Sequence, residues 1–428
     1  MTEQKLWTPT FLTLTGANFI AALALYLIVV KIIPFSAYAF DVSYGVAGFA
    51  VTTFSFSAML TRVLLGRKID EWGLKRSIIL GFILLSIAGM LYLVRVNFAF
   101  LLLVRVVNGV GFALTTGALS AAAALVVPAE RRAEGIGYFT LSQAISTGIG
   151  PFAAVILTQN DPSCTPIFVP MAVGSILALI LCFFLKLPDA AGPKPAAAKP
   201  VADSAALHSE EAQGETASAS KPAGPFARIA DFVRHHIHLS VVPLGLVMVL
   251  VMICYSGVSS FITIFADTRN LAAAASVYFV VYAAVILVSR PLVGRYADRK
   301  GENRVVYPAL IILAVGYTVL ALAYNPVPML VSAALIGFGI GTMQSIIQAT
   351  IVKFTATEDL GRANSTLLMH LDFGAGIGPV IIGAVLPYVD YLGCYLGLAV
   401  TALLAMVLYF FVHGRKQNAK AVRVKRTH

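Results

Sequence analysis

Hydrophobic positions in this chain do not alternate with polar ones over short stretches; they come in long unbroken blocks separated by brief polar and charged runs. A helix needs about 20 apolar residues to cross the hydrocarbon core of a bilayer. On that measure twelve spans are predicted, at 9–33, 44–66, 77–95, 98–122, 133–158 and 166–186, then at 240–267, 271–295, 304–325, 328–353, 361–388 and 390–413. Six precede and six follow a polar stretch at 187–238.

The two sets of six repeat one another. Arg62, Gly66, Arg67, Asp70, Gly73 and Arg76 recur in register as Arg290, Gly294, Arg295, Asp298, Gly301 and Arg304, an offset of 228 residues. The same offset carries Gly109 and Gly111 onto Gly337 and Gly339. It also carries Gly148, Gly150 and Pro151 onto Gly376, Gly378 and Pro379. Repeats of unchanged order and polarity predict two parallel six-helix bundles. The expected division is 1–186 for the first bundle, 187–238 for a linker, 239–414 for the second bundle and 415–428 for a basic tail. Within the linker, the residues up to 225 are rich in Ala, Pro, Lys, Glu and Ser and build no core. The stretch from Phe226 to Ile237 places apolar residues on one helical face and reads as a helix lying on the membrane surface.

Composition turns this pattern into a class. With 59% hydrophobic and 12% charged residues and a mean hydropathy of +0.86, the chain has more apolar surface than a soluble domain of this length buries. The expected fold is an all-α integral membrane protein, with the lipid bilayer as its standing partner. The net charge of +11 raises nucleic acid as a partner, but the distribution of that charge argues against it. Lys31, Arg95 and Arg269 fall at one set of span ends and Arg105 within a span, whereas every other Lys and Arg lies at or beyond the opposite ends. That asymmetry is the positive-inside pattern, which predicts a multi-pass plasma membrane protein with both termini in the cytoplasm. The first span is expected to stay as an anchor rather than be cleaved. The four cysteines lack metal-ligand spacing, and no metal or other cofactor is expected. Cys164 and Cys394 both fall near the neutral span ends, but a bond between halves that must move apart is disfavoured.

Polar residues inside apolar spans are the candidate working parts. Asn18 and Tyr26 interrupt the first span, and either hold helices together or face a cavity. Arg105, with Asn108 one turn on, is a charge in the fourth span that needs a cavity, a partner or a snorkelling path. Gln143 stands in the fifth span; Gln344 and Gln348 lie one turn apart on the tenth and meet either a ligand or a neighbouring helix. His370 and Asp372 stand in the eleventh span, two residues apart and so about 200° apart around the helix. One is therefore expected to line a pathway and the other to touch a neighbour. Asp372 is the leading candidate for binding and releasing a proton, with His370 behind it. The rival reading is a static pair of Asp372 with Arg105 or His370.

The doubled stretch is similar to the loops between the second and third and between the eighth and ninth spans of the major facilitator superfamily. Gly66, Asp70, Gly73, Lys75 and Arg76 match that pattern, and Gly294, Asp298, Gly301 and Arg304 match it again. Glu71 stands where the family usually has Arg. The resemblance implies a gating latch, in which Asp70 faces the start of the eleventh span near Arg362 and Asp298 the start of the fifth near Arg131. Arg62, Arg76, Arg290 and Arg304 belong to the same latch. Arg105 with Asn108 resembles a fourth-span motif linked to proton coupling or to a substrate carboxylate. Gly148, Gly150 and Pro151 resemble part of the fifth-span motif of the drug:proton antiporters.

The resemblance implies a secondary transporter that rocks two bundles about a midplane cavity lined mainly by spans 1, 4, 7 and 10. No phosphate-cradling Gly-Lys-Ser loop is present, so an ion gradient is the expected drive. The expectation is proton-coupled export of a small organic solute by a single chain. The alternative is proton-coupled uptake of an organic anion held by Arg105. Neither an enzyme nor a receptor is expected: His370 and Asp372 lack a third metal ligand at suitable spacing, and no signalling domain accompanies the spans.

Overall fold

The computed structural model describes residues 6–128, 131–159, 161, 163–185, 187, 237–355 and 359–415. Nearly all of the linker, including its expected surface helix, and the tail from 416 lie outside the described residues. Twelve α-helices and no strand are present among the described residues. They are α1 (Pro9–Val29), α2 (Ile32–Phe40), α3 (Tyr44–Trp72), α4 (Leu74–Leu91), α5 (Phe98–Val126), α6 (Arg132–Leu157) and α7 (Thr165–Phe183). The second half contributes α8 (Val242–Thr268), α9 (Ala272–Lys300), α10 (Asn303–Ala321), α11 (Pro326–Phe354) and α12 (Leu360–Tyr409).

Eleven stretches among the described residues are long and apolar enough to cross a membrane, and the last, Gly361–Gly414, has 54 residues. At 1.5 Å per residue that is about 80 Å, well over twice the hydrocarbon thickness. Asp390, at φ 53° and ψ −172°, breaks α12 into two limbs, and its carboxylate accepts from the Gly393 amide at 3.1 Å to close the turn. The expected twelve crossings are therefore present, with the eleventh and twelfth joined through a single non-helical residue. Alternating directions put both chain ends and the duplicated turns at one end, here called the basic end, and Asp390 at the neutral end.

Local chemistry repeats along with the path. Asn97 and Asn325, 228 residues apart, each cap a helix: Asn97 Oδ1 accepts from Phe100 N at 2.8 Å and Asn325 Oδ1 from Val327 N at 3.2 Å. Gly73 and Gly301 have φ of 86° and 89°, a region that L side chains rarely adopt. The duplicated stretch thus differs from the expected loop. It is the solvated end of a long helix, running to Trp72 in α3 and to Lys300 in α9, and a tight turn follows at the glycine. Helix-favouring residues carry the backbone beyond the apolar boundary at which hydropathy placed the span ends.

The halves also pack alike. α4 lies on α5 as α10 lies on α11, α3 on α5 as α9 on α11, and α1 on α6 as α8 on α12. Across the divide, α3 meets α12 and α6 meets α9. One apolar core runs from the second half into the neutral end of the first, joining Leu27, Ile33, Ala47 and Val51 with Val258, Ile262 and Phe265. A separate core around Phe11, Leu14, Ile78, Leu119 and Leu185 fills the basic end of the first half. The halves are joined at the neutral end and part toward the basic end.

Candidate functional site

Between the parting halves lies a cavity of about 430 Å³, lined by α1, α5, α6, α8, α9, α11 and α12. That volume suits a drug-sized ligand. Tyr26, Tyr255 and Tyr282 lie toward its neutral side, whereas Gln143, Gln348 and Asn364 lie nearer the basic end. Spans 5, 8 and 11 contribute as fully as the expected spans 1, 4, 7 and 10. A larger crevice of about 810 Å³ opens at the neutral end among residues such as Val42, Phe49 and Leu386. It has no charged lining residue, so the chemistry converges on the smaller cavity.

Two contacts close the neutral side of this cavity, and they are duplicates. Along the first, α3 runs against α12: a Cβ placed on Gly48 would lie 3.0 Å from the Pro379 carbonyl oxygen, and Thr52 donates to the Gly376 carbonyl at 2.6 Å. Below these, where the two helices separate, Arg62 Nε donates to Asp372 Oδ2 at 3.0 Å. This ion pair spans the two halves and is largely shielded, with side-chain exposures of 13% and 25%. Along the second contact, α6 runs against α9: a Cβ on Gly148 would come within 2.8 Å of Ala283 Cβ. Arg290, the repeat of Arg62, stands below it on the cavity wall. At the repeat position of Asp372 stands Ala144.

The sequence placed Arg62 in a gating loop; it lies within α3, and its partner is 310 residues away. The signal was available as an acid inside the predicted span 361–388 and an arginine at the end of the span 44–66. Which faces they presented was not.

Arg105 is not part of the cavity lining. It is fully buried inside the first half, where Nε donates to the Ala50 carbonyl at 2.7 Å. Nη1 donates to Tyr92 Oη at 3.2 Å and Asn108 Oδ1 at 3.3 Å. The guanidinium also lies over the Phe54 ring, 4.5 Å from its centroid. Nη2 has no partner. Its four contacts are neutral, so the cation is held by dipoles and a ring face rather than by a carboxylate. Neither the Asp372–Arg105 nor the Asp372–His370 pair weighed from sequence is formed. His370 instead turns into its own half, donating from Nδ1 to the Thr366 carbonyl at 2.7 Å, with its ring against Gly245 of α8.

Of the remaining candidates, Tyr26, Gln143, Gln344 and Gln348 line the cavity. Gln348 Nε2 donates to Asn364 Oδ1 at 3.4 Å, and Gln344 Nε2 approaches Met252 Sδ at 3.6 Å. Asn18 does not line it: its amide donates to Ser142 Oγ at 2.9 Å and the Phe139 carbonyl at 3.3 Å, holding α1 to α6. Gly150 admits Tyr26 of its own half, and Gly376 admits Ser55 of the other; Gly378 admits Ser256. Pro151 and Pro379 lie inside α6 and α12.

At the basic end, Arg76 and Arg304 are exposed and Gly294 faces open space. Gly66 lies within α3, but the side chains of Asp70 and Asp298 fall outside what the structure describes, so the latch expected of them lies outside it too. The residues they were expected to face pair locally: Arg131 with Glu134 at 2.9 Å and Arg362 with Asp359 at 2.8 Å. All four cysteines are free.

A family profile described as Major Facilitator Superfamily matches residues 14–327 and 272–427, and the chain belongs to that superfamily. It is a multi-pass membrane transporter, not an enzyme. It is 30% identical over 186 residues to "Multidrug resistance protein 2" of Bacillus subtilis (strain 168), covering 43% of this chain and 45% of that one. It is 21% identical over 176 residues to the "Multi-drug resistance efflux pump PmrA homolog" of Lactococcus lactis subsp. lactis (strain IL1403), covering 40% and 43%. The matched part spans less than half the length of these relatives. Among solved structures, the nucleoside transporter NupG, in a mutant form, superposes with a TM-score of 0.68 at 14% identity, covering 94% of this chain and all of that one. A bacterial homologue of the lysosomal transporter Spinster gives 0.65 at 16% identity, with 94% and 96% covered. These last two likenesses concern the fold.

Proposed function

We propose that this chain is a proton-coupled exporter of small organic solutes in the plasma membrane, working as a single chain with both termini in the cytoplasm. Its two bundles, 1–186 and 239–414, rock about the central cavity, which in this conformation faces the cytoplasm. The observation that carries the reading is the Arg62–Asp372 pair, 3.0 Å across the two halves where α3 meets α12, next in sequence to Leu371 of the cavity wall. A carboxylate whose charged partner among the described residues sits on the opposite half changes its electrostatic surroundings whenever the halves move.

When the neutral end opens, Asp372 loses the guanidinium and takes a proton from the outer solution. When that end closes, Arg62 reclaims the carboxylate and the proton leaves toward the cytoplasm. The proton moves inward in one half-cycle and the solute outward in the other. Export rather than uptake is supported by relatives whose printed names are multidrug resistance and efflux proteins. Uptake of an anion on Arg105 loses its basis, because Arg105 does not line the cavity.

The test is proton movement in proteoliposomes under an imposed pH gradient, screened with drugs, sugars, amino acids and carboxylates. A solute that dissipates the gradient by exchange with wild-type protein, but not with Asp372→Asn, is the expected outcome. Coupled exchange that persists in Asp372→Asn removes the proton role of Asp372; entry of solute together with protons removes export.

A further inference from the structure

The duplicated contact leaves one cation without an acid. Arg62 and Arg290 occupy repeat positions on α3 and α9, each at the point where a pair of helices from opposite halves begins to separate. Arg62 has Asp372. Arg290 has Ala144 at the matching place, and its Nε is buried with no hydrogen-bond partner. Among the described residues no carboxylate lies within ion-pair distance of it. Asp298, the acid that follows on its own helix, is eight residues along, about 12 Å away.

Arg290 is part of the cavity wall together with Tyr26 and Tyr282, one from each half. An arginine is always charged at physiological pH. A guanidinium at membrane depth without an anion is costly unless water or a ligand compensates it. Arg105 is fully buried and does not line the cavity; its Nε and Nη1 donate to Ala50, Tyr92 and Asn108, and its Nη2, without a partner, faces the interior of its own half. Among the described residues that line the cavity, Arg290 is the cation.

We infer that Arg290 is the anchor for an anionic substrate, and that this exporter takes organic monoanions with an aromatic or aliphatic body. The body finds Met248, Met252, Tyr255 and Leu371, and its polar edges find Gln143 and Gln344. The carboxylate of the substrate supplies to Arg290 the acid that Asp372 supplies to Arg62. The two equivalent places thus carry the two exchanged species, the proton at the contact of α3 with α12 and the anion on the cavity wall at α9. This assignment rests on the transport reading above and deepens it.

Binding and flux separate the two. The probes are 2-naphthoate and its neutral counterpart 2-naphthamide, titrated calorimetrically into purified full-length protein. The expected result is a wild-type preference for the anion of tenfold or more, lost in Arg290→Gln, largely kept in Arg290→Lys and unaffected in amide affinity. The Arg290→Gln variant is checked for an unchanged thermal midpoint. If it unfolds, Arg290→Lys and competition of naphthoate by benzoate against benzamide provide the readout. Absence of an anion preference in wild-type protein, or a preference that survives Arg290→Gln, overturns the assignment. Anion preference without gradient-driven exchange leaves Arg290 as the binding site and defeats the export reading alone; exchange that ignores Arg290 does the reverse.

Discussion

The contact of α3 with α12 and the contact of α6 with α9 have the same parts: a glycine that brings two halves together, an arginine just below it, and a helix that ends at a left-handed glycine. They differ in one acid. The first holds Arg62 against Asp372, whereas the second faces Arg290 with Ala144. Duplication has kept the mechanical layout, and divergence has moved the charges. The same lesson appears at the helix starts on the basic end. Arg131 and Glu134 occupy the positions of Asp359 and Arg362, so the two local pairs match in place and are inverted in sign. It appears a third time where Glu302 accepts from Lys353 at 3.4 Å and meets His413 at 3.1 Å. The corresponding residues of the first half are Leu74, Leu125 and Leu185.

Supplying the missing acid breaks the comparison most severely. Ala144→Asp places a carboxylate where Arg290 can reach it and makes the second contact resemble the first. The expected outcome is loss of solute exchange by at least about tenfold, with a raised thermal midpoint, read by liposome flux and by melting in detergent. Undiminished exchange would show that the two contacts are not equivalent.

Arg105 stands opposite Ala333 in the repeat, and both are fully buried. Exchanging the arginine for the residue of its repeat leaves a void and strips Ala50 and Tyr92 of their donor and Asn108 of one of its two. Arg105→Ala is expected to cost about 3 kcal/mol of stability, and Arg105→Met, which refills the volume, clearly less. Equal losses in the two variants would assign the cost to charge rather than packing.

The Glu302 cluster adds a pH dependence that the leucines of the first half lack. The hydrogen bond from His413, more than the nearby Lys353, holds the Glu302 carboxyl below its ordinary range. A group with a lowered folded-state value contributes stability fully above its unfolded value and loses it as pH falls through the folded one. Glu302→Gln is therefore expected to lower the thermal midpoint at neutral pH by the equivalent of about 1 kcal/mol. The gap from wild type should close as the pH is taken below the usual carboxylate range. A gap independent of pH would mean that the glutamate acts by shape alone. The smallest effect belongs to the inverted pairs: exchanging Arg131 and Glu134 for one another is expected to leave the midpoint within about 1 °C, because exposed pairs contribute little.

Hydropathy and the 228-residue offset were enough to read twelve crossings and two parallel halves from sequence, and the resemblance of the duplicated stretch implied the cavity between them. The depth of each polar residue was legible for the same reason. Its direction was not. Arg105 is deep, but whether it faces a cavity or its own bundle depends on how α3 and α4 pack around α5. Those neighbours, Ala50, Tyr92 and Phe54, carry no pattern that marks them as its acceptors. His370 and Asp372 were read as pointing apart, and they do, toward α8 and toward α3. The partner of Asp372 lay 310 residues away, in a stretch whose likeness to a loop motif drew attention to its turn rather than to its helical part. The end of α3 was equally hidden, because hydropathy stops at the apolar boundary while the helix continues into solvent.

The continuous apolar core that joins the halves at the neutral end also has a thermal consequence. Opening that end brings Leu27, Ile33, Val258 and Phe265 toward water, whereas the basic end already presents amides and hydroxyls to it. Hydration of apolar surface carries a large positive heat capacity and is least unfavourable in the cold. The closed neutral end is thus held by a hydrophobic contact. It weakens on cooling, so the conformational equilibrium of this transporter runs as a curved function of temperature rather than a straight van't Hoff line.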